Sequence, residues 1–144
     1  MIKKLLLTAP FLLALVLVRV FENDMFYDPF IKYFHSSAYH TQGNFPEFSW
    51  LKHLFSIAFR YSINTILSLI IIFLLFRDKQ TLSFSAVLFL IQFLLLIIVY
   101  SIMLGNEFAW GYLSAFYVRR FLLQPILLIL LVPALFYQKN VVKN

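Results

Sequence analysis

Residues 57–76 read IAFRYSINTILSLIIIFLLF and residues 82–104 read LSFSAVLFLIQFLLLIIVYSIML, with only RDKQT between them at 77–81. Each apolar run is long enough to cross a hydrocarbon core of about 30 Å as a helix that rises about 1.5 Å per residue. A link this short between two such helices forces them to run antiparallel. The stretch therefore predicts a helical hairpin within a membrane.

The composition of the whole chain is that of an integral membrane protein. Of 144 residues, 62% are hydrophobic and only 12% are charged, which is more apolar surface than one soluble core of this size can hide. Cysteine is absent, so disulfides, thiolate metal sites and a cysteine nucleophile are excluded. The net charge is +6. Basic residues beside membrane helices set the topology and contact anionic lipid. No block of them forms the basic stripe that is typical of a nucleic-acid-binding surface, so we do not attribute the charge to nucleic-acid binding.

Two further apolar segments, about residues 5–21 and 121–137, bring the number of predicted spans to four. The first follows Lys3 and Lys4 and has the layout of a signal peptide, but Arg19 stands where a cleavage site would lie, so we expect an uncleaved anchor. We predict an all-α integral membrane fold, a four-transmembrane-helix bundle in which residues 1–144 form a single membrane domain.

The predicted outer loop, about residues 22–56, is too long to be structureless in a compact bundle. Asp28 followed by Pro29 is typical of a helix start, and apolar residues recur at helical spacing after Asp28 and again after Pro46. We expect two short amphipathic helices in the membrane interface. Their apolar residues are Phe26, Phe30, Ile31 and Phe34 in the first, and Trp50, Leu51, Leu54 and Phe55 in the second.

The orientation has to be decided by position, because the twelve basic residues divide evenly between the two sides of the predicted bundle. Lys3 and Lys4 precede the first helix, which usually dominates orientation, so we predict cytoplasmic termini. Five of the six acids and four arginines then lie at the outer boundary. Those arginines are Arg19, Arg60, Arg119 and Arg120.

A polar stripe runs along the second predicted span, where Ser56, Arg60, Asn64 and Ser68 follow one another at four-residue steps. Such a stripe should face protein and not lipid. One interpretation is helix–helix packing with Arg60 reaching outward. The other is a polar lining that positions a partner or a substrate.

The last predicted span carries two prolines, Pro125 and Pro133. Pro125 should free the carbonyl near residue 121, which the side chain of Gln124 or Asn64 could satisfy. Pro133 predicts a second break.

Arg119 and Arg120 precede this span, and Arg120 shares a helical face with Gln124. One interpretation is an interfacial arginine anchor on a kinked but ordinary helix. The other is a small outer cationic site formed by Arg60 and Arg120, which could bind a lipid phosphate, a peptide carboxylate, or Glu22 and Asp24.

Three carboxylates, Glu22, Asp24 and Asp28, follow Arg19 at the exit of the first helix. With an arginine so close, we expect them to form structural ion pairs rather than to bind a metal or act as acid and base. The chain's histidines, His35, His40 and His53, do not fall at ligand spacing on one helix. We therefore predict no metal, no cofactor and no catalytic residue, and we expect that the protein is not an enzyme.

Four stretches resemble the exosortase F system-associated membrane proteins, which are small proteins of Bacteroidetes, chiefly flavobacteria. They are Arg19-Val-Phe-Glu-Asn-Asp-Met-Phe-Tyr-Asp-Pro29, Arg60-Tyr-Ser-Ile-Asn-Thr-Ile-Leu-Ser-Leu69, Leu75-Phe-Arg-Asp-Lys79, and Tyr117-Val-Arg-Arg-Phe-Leu-Leu-Gln-Pro-Ile-Leu-Leu-Ile-Leu-Leu-Val-Pro-Ala-Leu-Phe-Tyr-Gln138. The resemblance implies a multi-pass protein of the bacterial inner membrane. It also implies a partner, the exosortase, a membrane-embedded sorting enzyme that processes exported proteins and is thought to use Cys, Arg and His.

The resulting hypothesis is a non-catalytic accessory protein of an exosortase-type sorting system. It would contact the enzyme, an exported substrate or membrane lipid through an outward arginine-rich rim. The residues of this rim are Arg60, Asn64, Arg119, Arg120 and Gln124. Two alternatives stay open: a small transporter or lipid-phosphate-handling membrane protein, with a water-filled cavity that reaches Asn64 and Gln92, and a purely structural membrane scaffold.

Overall fold

The computed structural model of the chain describes residues 2–30, 47 and 49–143, and over these residues its regular secondary structure is helical. The helices are α1 (Ile2–Val20), the single turn α2 (Glu22–Met25), α3 (Trp50–Phe76), α4 (Lys79–Gly105), α5 (Tyr112–Leu123) and α6 (Ile126–Val142). The all-helical part of the predicted fold is confirmed.

The predicted hairpin is formed by α3 and α4, each 27 residues long and apolar enough to cross a membrane. The turn at Arg77 is made by left-handed backbone, with φ at 50°. Asp78 then caps α4 by accepting from the backbone N–H groups of Gln80 and Thr81. The Thr81 hydroxyl, which donates to the same carboxylate, holds the pKa of Asp78 below its ordinary value. An ionised cap at a helix N-terminus stabilises this turn.

Contacts along the hairpin confirm that its helices are antiparallel. The Tyr61 hydroxyl donates to the Phe89 carbonyl at 2.7 Å, and His53, earlier on α3, lies 3.0 Å from the hydroxyl of Tyr100, later on α4. The start of α3 differs from the prediction, because the helix begins at Trp50 rather than at residue 57. The second predicted interfacial helix is therefore wrong. Its residues Trp50, Leu51, Leu54 and Phe55 form the first turns of α3, since no helix-breaking residue separates them from the apolar run.

The first predicted interfacial helix lies mostly outside the described residues, as do its Ile31 and Phe34. Within the described residues, the backbone N–H of Phe30 donates to the Asp28 carboxylate at 3.1 Å. This bond is the one that a helix-capping aspartate makes two residues ahead. Phe26 and Phe30 are both buried against protein.

The first helix, α1, packs along α3 and runs antiparallel to it. At one end the Lys4 ammonium donates to the Leu75 carbonyl at 2.8 Å, and at the other Arg19 lies near the first half of α3. The fourteen residues from Leu5 to Val18 carry no charge. Because Lys3, Lys4 and Arg19 lie within α1, it is not among the helices that are long and apolar enough to span by composition.

The predicted fourth span is broken. Instead of one helix over residues 121–137, the chain forms α5 and α6, which meet at an angle of 61°. Gln124 between them is extended, with φ at −113° and ψ at 143°, as residues before a proline tend to be. The second break predicted at Pro133 is wrong, because α6 continues through it. A proline removes one helical hydrogen bond, and an apolar helix can absorb that loss as a slight local adjustment.

Large apolar side chains remain exposed on the outside of the helices, among them Leu90, Leu95 and Ile98 on α4. A soluble monomer rarely exposes so much contiguous apolar surface. With the two long apolar helices, this surface indicates a membrane protein. At one end of the fold, called here the α2 end, lie α2, the first half of α3, the last turns of α4, and α5. The α3–α4 turn and Lys139 lie at the opposite end, where the Lys139 ammonium is 3.3 Å from the Phe76 carbonyl.

Candidate ion-pair and binding site

Glu22 in α2 links α1 to α3 through two arginines. Its Oε2 accepts from Arg19 Nη1 at 2.5 Å and from Arg60 Nη2. The chain turns into α2 directly after α1, and this places the Glu22 carboxylate over the polar face of α3. Glu22 and Arg60 are buried, whereas the Arg19 side chain is about half exposed. This trio, Arg19, Glu22 and Arg60, is called the Glu22 cluster below.

Arg60 is the largest fully buried side chain of the described residues, at 1% exposure. Its guanidinium group also lies 5.5 Å from the centre of the Phe26 ring, a distance suited to a cation–π contact. A guanidinium group has five N–H donors. Only Nη2 finds an acceptor, because Nε and Nη1 make no hydrogen bond to any residue that the structure describes. Buried donors without acceptors destabilise a fold. An anionic or carbonyl oxygen that accepted from Nε or Nη1 would therefore stabilise Arg60.

A second network joins the loop after α2 to α5. The Asp28 carboxylate accepts from Arg119 Nη2, and the two side chains are 3% and 10% exposed. His53 Nδ1 lies 4.0 Å from Asp28 Oδ1, and its Nε2 lies 3.0 Å from the Tyr100 hydroxyl. The second network therefore connects Asp28 to α3 through His53, to α4 through Tyr100 and to α5 through Arg119.

Arg120 differs from its neighbour Arg119. It is exposed, and its Nε donates to Gln124 Oε1 at 3.1 Å, as their position on one helical face allows. The side chains of adjacent helical residues point about 100° apart, so only one arginine of the pair can turn inward. The structure turns Arg119 inward and brings Arg60 to Glu22, so the hypothetical pairing of Arg60 with Arg120 finds no contact among the described residues.

Asn64 supplies a hydrogen-bond donor at the break between α5 and α6. Its Nδ2 donates to the Leu123 carbonyl at 2.9 Å. Asn64 was one of the two predicted donors, and the accepting carbonyl is that of residue 123 rather than 121, because α5 ends at Leu123. The prediction that the α3 stripe faces protein is also confirmed, since Arg60, Asn64 and Ser68 are buried.

A cleft of about 260 Å³ opens beside these groups, between α1, α3 and the α5–α6 break. Its polar lining consists of Arg19, Arg60, Asn64 and Gln124, and its apolar lining includes Leu15 and Ile129. The two arginines and the one carboxylate of the Glu22 cluster leave an excess of one positive charge beside the cleft. The pair of Asp28 and Arg119 is neutral. The cleft therefore suits an anion.

The remaining predicted residues take no part in these networks. Asp24 is exposed and makes no ion pair within the described residues. Those residues also hold no group of three or more side chains suited to a metal ion, and His35 and His40 lie outside them. Sequence reasoning considered His53 only as a metal ligand and did not consider Tyr100. Because His53 precedes Arg60 by seven residues, about two helical turns, the α3 stripe could have been extended to it.

The fold and the site together define a helical protein of membrane type with two buried ion-pair networks at one end. Comparison of the chain with protein-family models, with curated proteins and with solved structures finds no match.

Proposed function

We propose that the chain is a non-catalytic accessory protein of an exosortase-type sorting system in the bacterial inner membrane. One observation carries the proposal. The separate stretches that resemble the exosortase-associated proteins supply Glu22 and Asp28 from the first, Arg60 from the second and Arg119 from the last, and these residues pair with one another at the α2 end.

The proposed topology is four spans, formed by α1, α3, α4 and the bent α5–α6 pair. Lys4 and Arg19 are about 22 Å apart along α1, and both side chains are long enough to extend toward the headgroups and cover a core of about 30 Å. Lys4 and Lys139 both bond to carbonyls at the end of α3, which fits termini on one side. We place that side in the cytoplasm and the α2 end outside.

Fusions to alkaline phosphatase, which is active only outside the cytoplasm, test this topology. We expect activity from a fusion after Glu107 and none from fusions after Gln80 or after the C-terminal Asn144. Activity after Gln80 but not after Glu107 would reverse the orientation. Activity after both Glu107 and Asn144 would show that α5–α6 is re-entrant and that the chain crosses three times.

The proposed contact surface for the exosortase or its substrate is the exposed charge at the α2 end. Arg60 and Arg119 form ion pairs inside the protein. The outward-facing part of the predicted rim is therefore smaller than the sequence indicated. At this end, Arg120 and the exposed half of Arg19 are the described guanidinium groups that a protein partner can reach. Exposed charges of this kind guide association and set specificity.

Replacing Arg120 with alanine should therefore reduce sorting of an exported substrate several-fold in cells, while the amount of this protein in the membrane stays unchanged. The matched control is Lys143→Ala, which removes an exposed cation at the opposite end. The readout is the ratio of processed to unprocessed substrate on immunoblots. Normal sorting in the Arg120 variant would refute the contact surface.

The structural-scaffold alternative accounts for the buried pairs but gives no role to the exposed Arg120. The transporter alternative requires a cavity that reaches both Asn64 and Gln92. The cleft at Asn64 is not lined by Gln92, which instead lies 3.3 Å from the Tyr61 hydroxyl on the α4 side. The accessory role is therefore the best supported.

A further inference from the structure

The cleft beside Arg60 adjoins a larger groove between the same helices. This groove has a volume of about 650 Å³, and its lining includes Leu12 on α1, Ile71 on α3 and Val132 on α6. Ile129 lines both the cleft and the groove, so the two meet along α6. They stay open because α1 and α6 do not pack closely on each other.

The two parts differ sharply in chemistry. The cleft has four polar residues in its lining, among them Arg19 and Arg60. The groove has only Lys4 and Thr8 as polar lining residues, and these lie at its far end. From Arg60 to Ile71 the distance along α3 is about 16 Å. A molecule that fills both must have an anionic head and a long apolar tail.

The level of the head also fits a membrane surface. Arg60 belongs to α3, but its guanidinium group is held by Glu22, which lies just past the end of α1. In the proposed topology that is the depth at which the hydrocarbon ends and the headgroups begin. Two buried donors of Arg60, Nε and Nη1, have no acceptor among the described residues. These two donors lie on different edges of the guanidinium group, so a phosphate can accept from one of them through one oxygen, while Arg19, whose side chain is about half exposed, donates to another.

We propose that the cleft and groove together bind one anionic phospholipid, with its phosphate on Arg60 and Arg19 and an acyl chain along Ile129 toward Val132. The proposal rests on the membrane embedding given under the proposed function. The excess positive charge of the Glu22 cluster favours a lipid with net negative charge over a zwitterionic one, because a choline group would be repelled.

The lining of the groove favours an acyl chain over an extended peptide. Apart from Lys4 and Thr8 it offers no polar group to the N–H and C=O groups of an extended backbone. Free phosphate would satisfy the arginines but would leave the groove unused, so the lipid accounts for both parts.

The test uses the full-length protein, stripped of lipid in a neutral detergent. It is titrated with dioleoyl-phosphatidylglycerol, dioleoyl-phosphatidylcholine, inorganic phosphate or a short peptide with a free C-terminal carboxylate. Native mass spectrometry counts the bound molecules, and thermal unfolding reports the affinity. We expect one phosphatidylglycerol per chain, bound about tenfold more tightly than any of the other three.

Two variants separate the head from the tail. Arg60→Lys keeps the charge but removes the planar guanidinium donors, and Ile129→Trp fills the junction of cleft and groove without changing a charge. Each should weaken phosphatidylglycerol about tenfold. The matched control is Leu130→Trp, since Leu130 is exposed like its neighbour but does not line the groove, and it should bind as the parent does.

Several results would overturn the proposal. Unchanged affinity of Ile129→Trp for phosphatidylglycerol would show that no acyl chain lies in the groove. This variant tests the proposal even if Arg60→Lys does not fold. Equal binding of phosphate would reduce the site to a free-anion site, and preference for the peptide would assign it to a substrate tail. Equal binding of phosphatidylcholine would show a non-specific lipid belt. None of these results bears on the sorting assay of Arg120→Ala, so failure here is distinct from failure of the proposed function.

Discussion

Replacing Glu22 with alanine is expected to lower the free energy of unfolding by about 3–5 kcal/mol. The reason is that Arg60, at 1% exposure, would keep its charge inside the helix bundle with no carboxylate to pair with. Arg19 would lose its partner as well, but its side chain is about half exposed and can turn to solvent. The measurement is equilibrium unfolding in mixed micelles with increasing SDS.

Asp24→Ala provides the matched control, because Asp24 is an acid on the same short turn that is exposed and makes no ion pair within the described residues. It should change the stability by no more than about 0.5 kcal/mol. The double variant Glu22→Ala with Arg60→Met should regain most of the loss, since removing both members of a buried pair leaves no uncompensated charge. A double variant as unstable as the sum of its single changes would contradict the pairing.

The hairpin of α3 and α4 could be predicted from the sequence because its signals are local. The apolar runs, the charged link and the Asp78 cap all lie within a few residues of the structure that they determine. The inward face of α3 could be predicted for the same reason, since the four-residue spacing of Arg60, Asn64 and Ser68 is a property of one helix.

The ion pairs could be predicted only as a class. Glu22 and Arg60 are 38 residues apart and Asp28 and Arg119 are 91 apart, so no helical register connects them. Which arginine meets which acid depends on how the chain re-enters the bundle after α2. The sequence shows that Arg119 and Arg120 diverge by about 100°, but it does not show which of them faces the protein.

The two prolines illustrate the same limit. Pro125 and Pro133 both lie in one apolar segment, yet α5–α6 is broken at the first and continuous at the second. At Pro125 the Asn64 amide of another helix satisfies the open Leu123 carbonyl, which makes a sharp break tolerable inside apolar surroundings. A break therefore depends on a partner that is distant in sequence, and sequence spacing alone assigned both prolines the same effect.

Arg119→Ala and Arg120→Ala are expected to differ strongly, although the two residues are adjacent. Loss of Arg119 leaves the Asp28 carboxylate, with its side chain only 3% exposed, without its cation, and should cost about 3–5 kcal/mol in the same unfolding assay. Loss of Arg120 removes one exposed bond to Gln124 and should cost no more than about 0.5 kcal/mol. Equal stabilities of the two variants would contradict the inward assignment of Arg119.

The double variant Asp28→Ala with Arg119→Ala should behave differently from the corresponding change at Glu22. Asp28 is more than a counter-ion, because its carboxylate also accepts from the Phe30 backbone N–H and lies 4.0 Å from His53 Nδ1. Removing both charges abolishes the electrostatic penalty but leaves the backbone N–H of Phe30 uncapped, at a cost of about 1 kcal/mol. Recovery should therefore be partial at Asp28 and nearly complete at Glu22. Asp28→Asn with Arg119→Ala, which keeps an acceptor for Phe30, should recover more of the stability than the double alanine variant does.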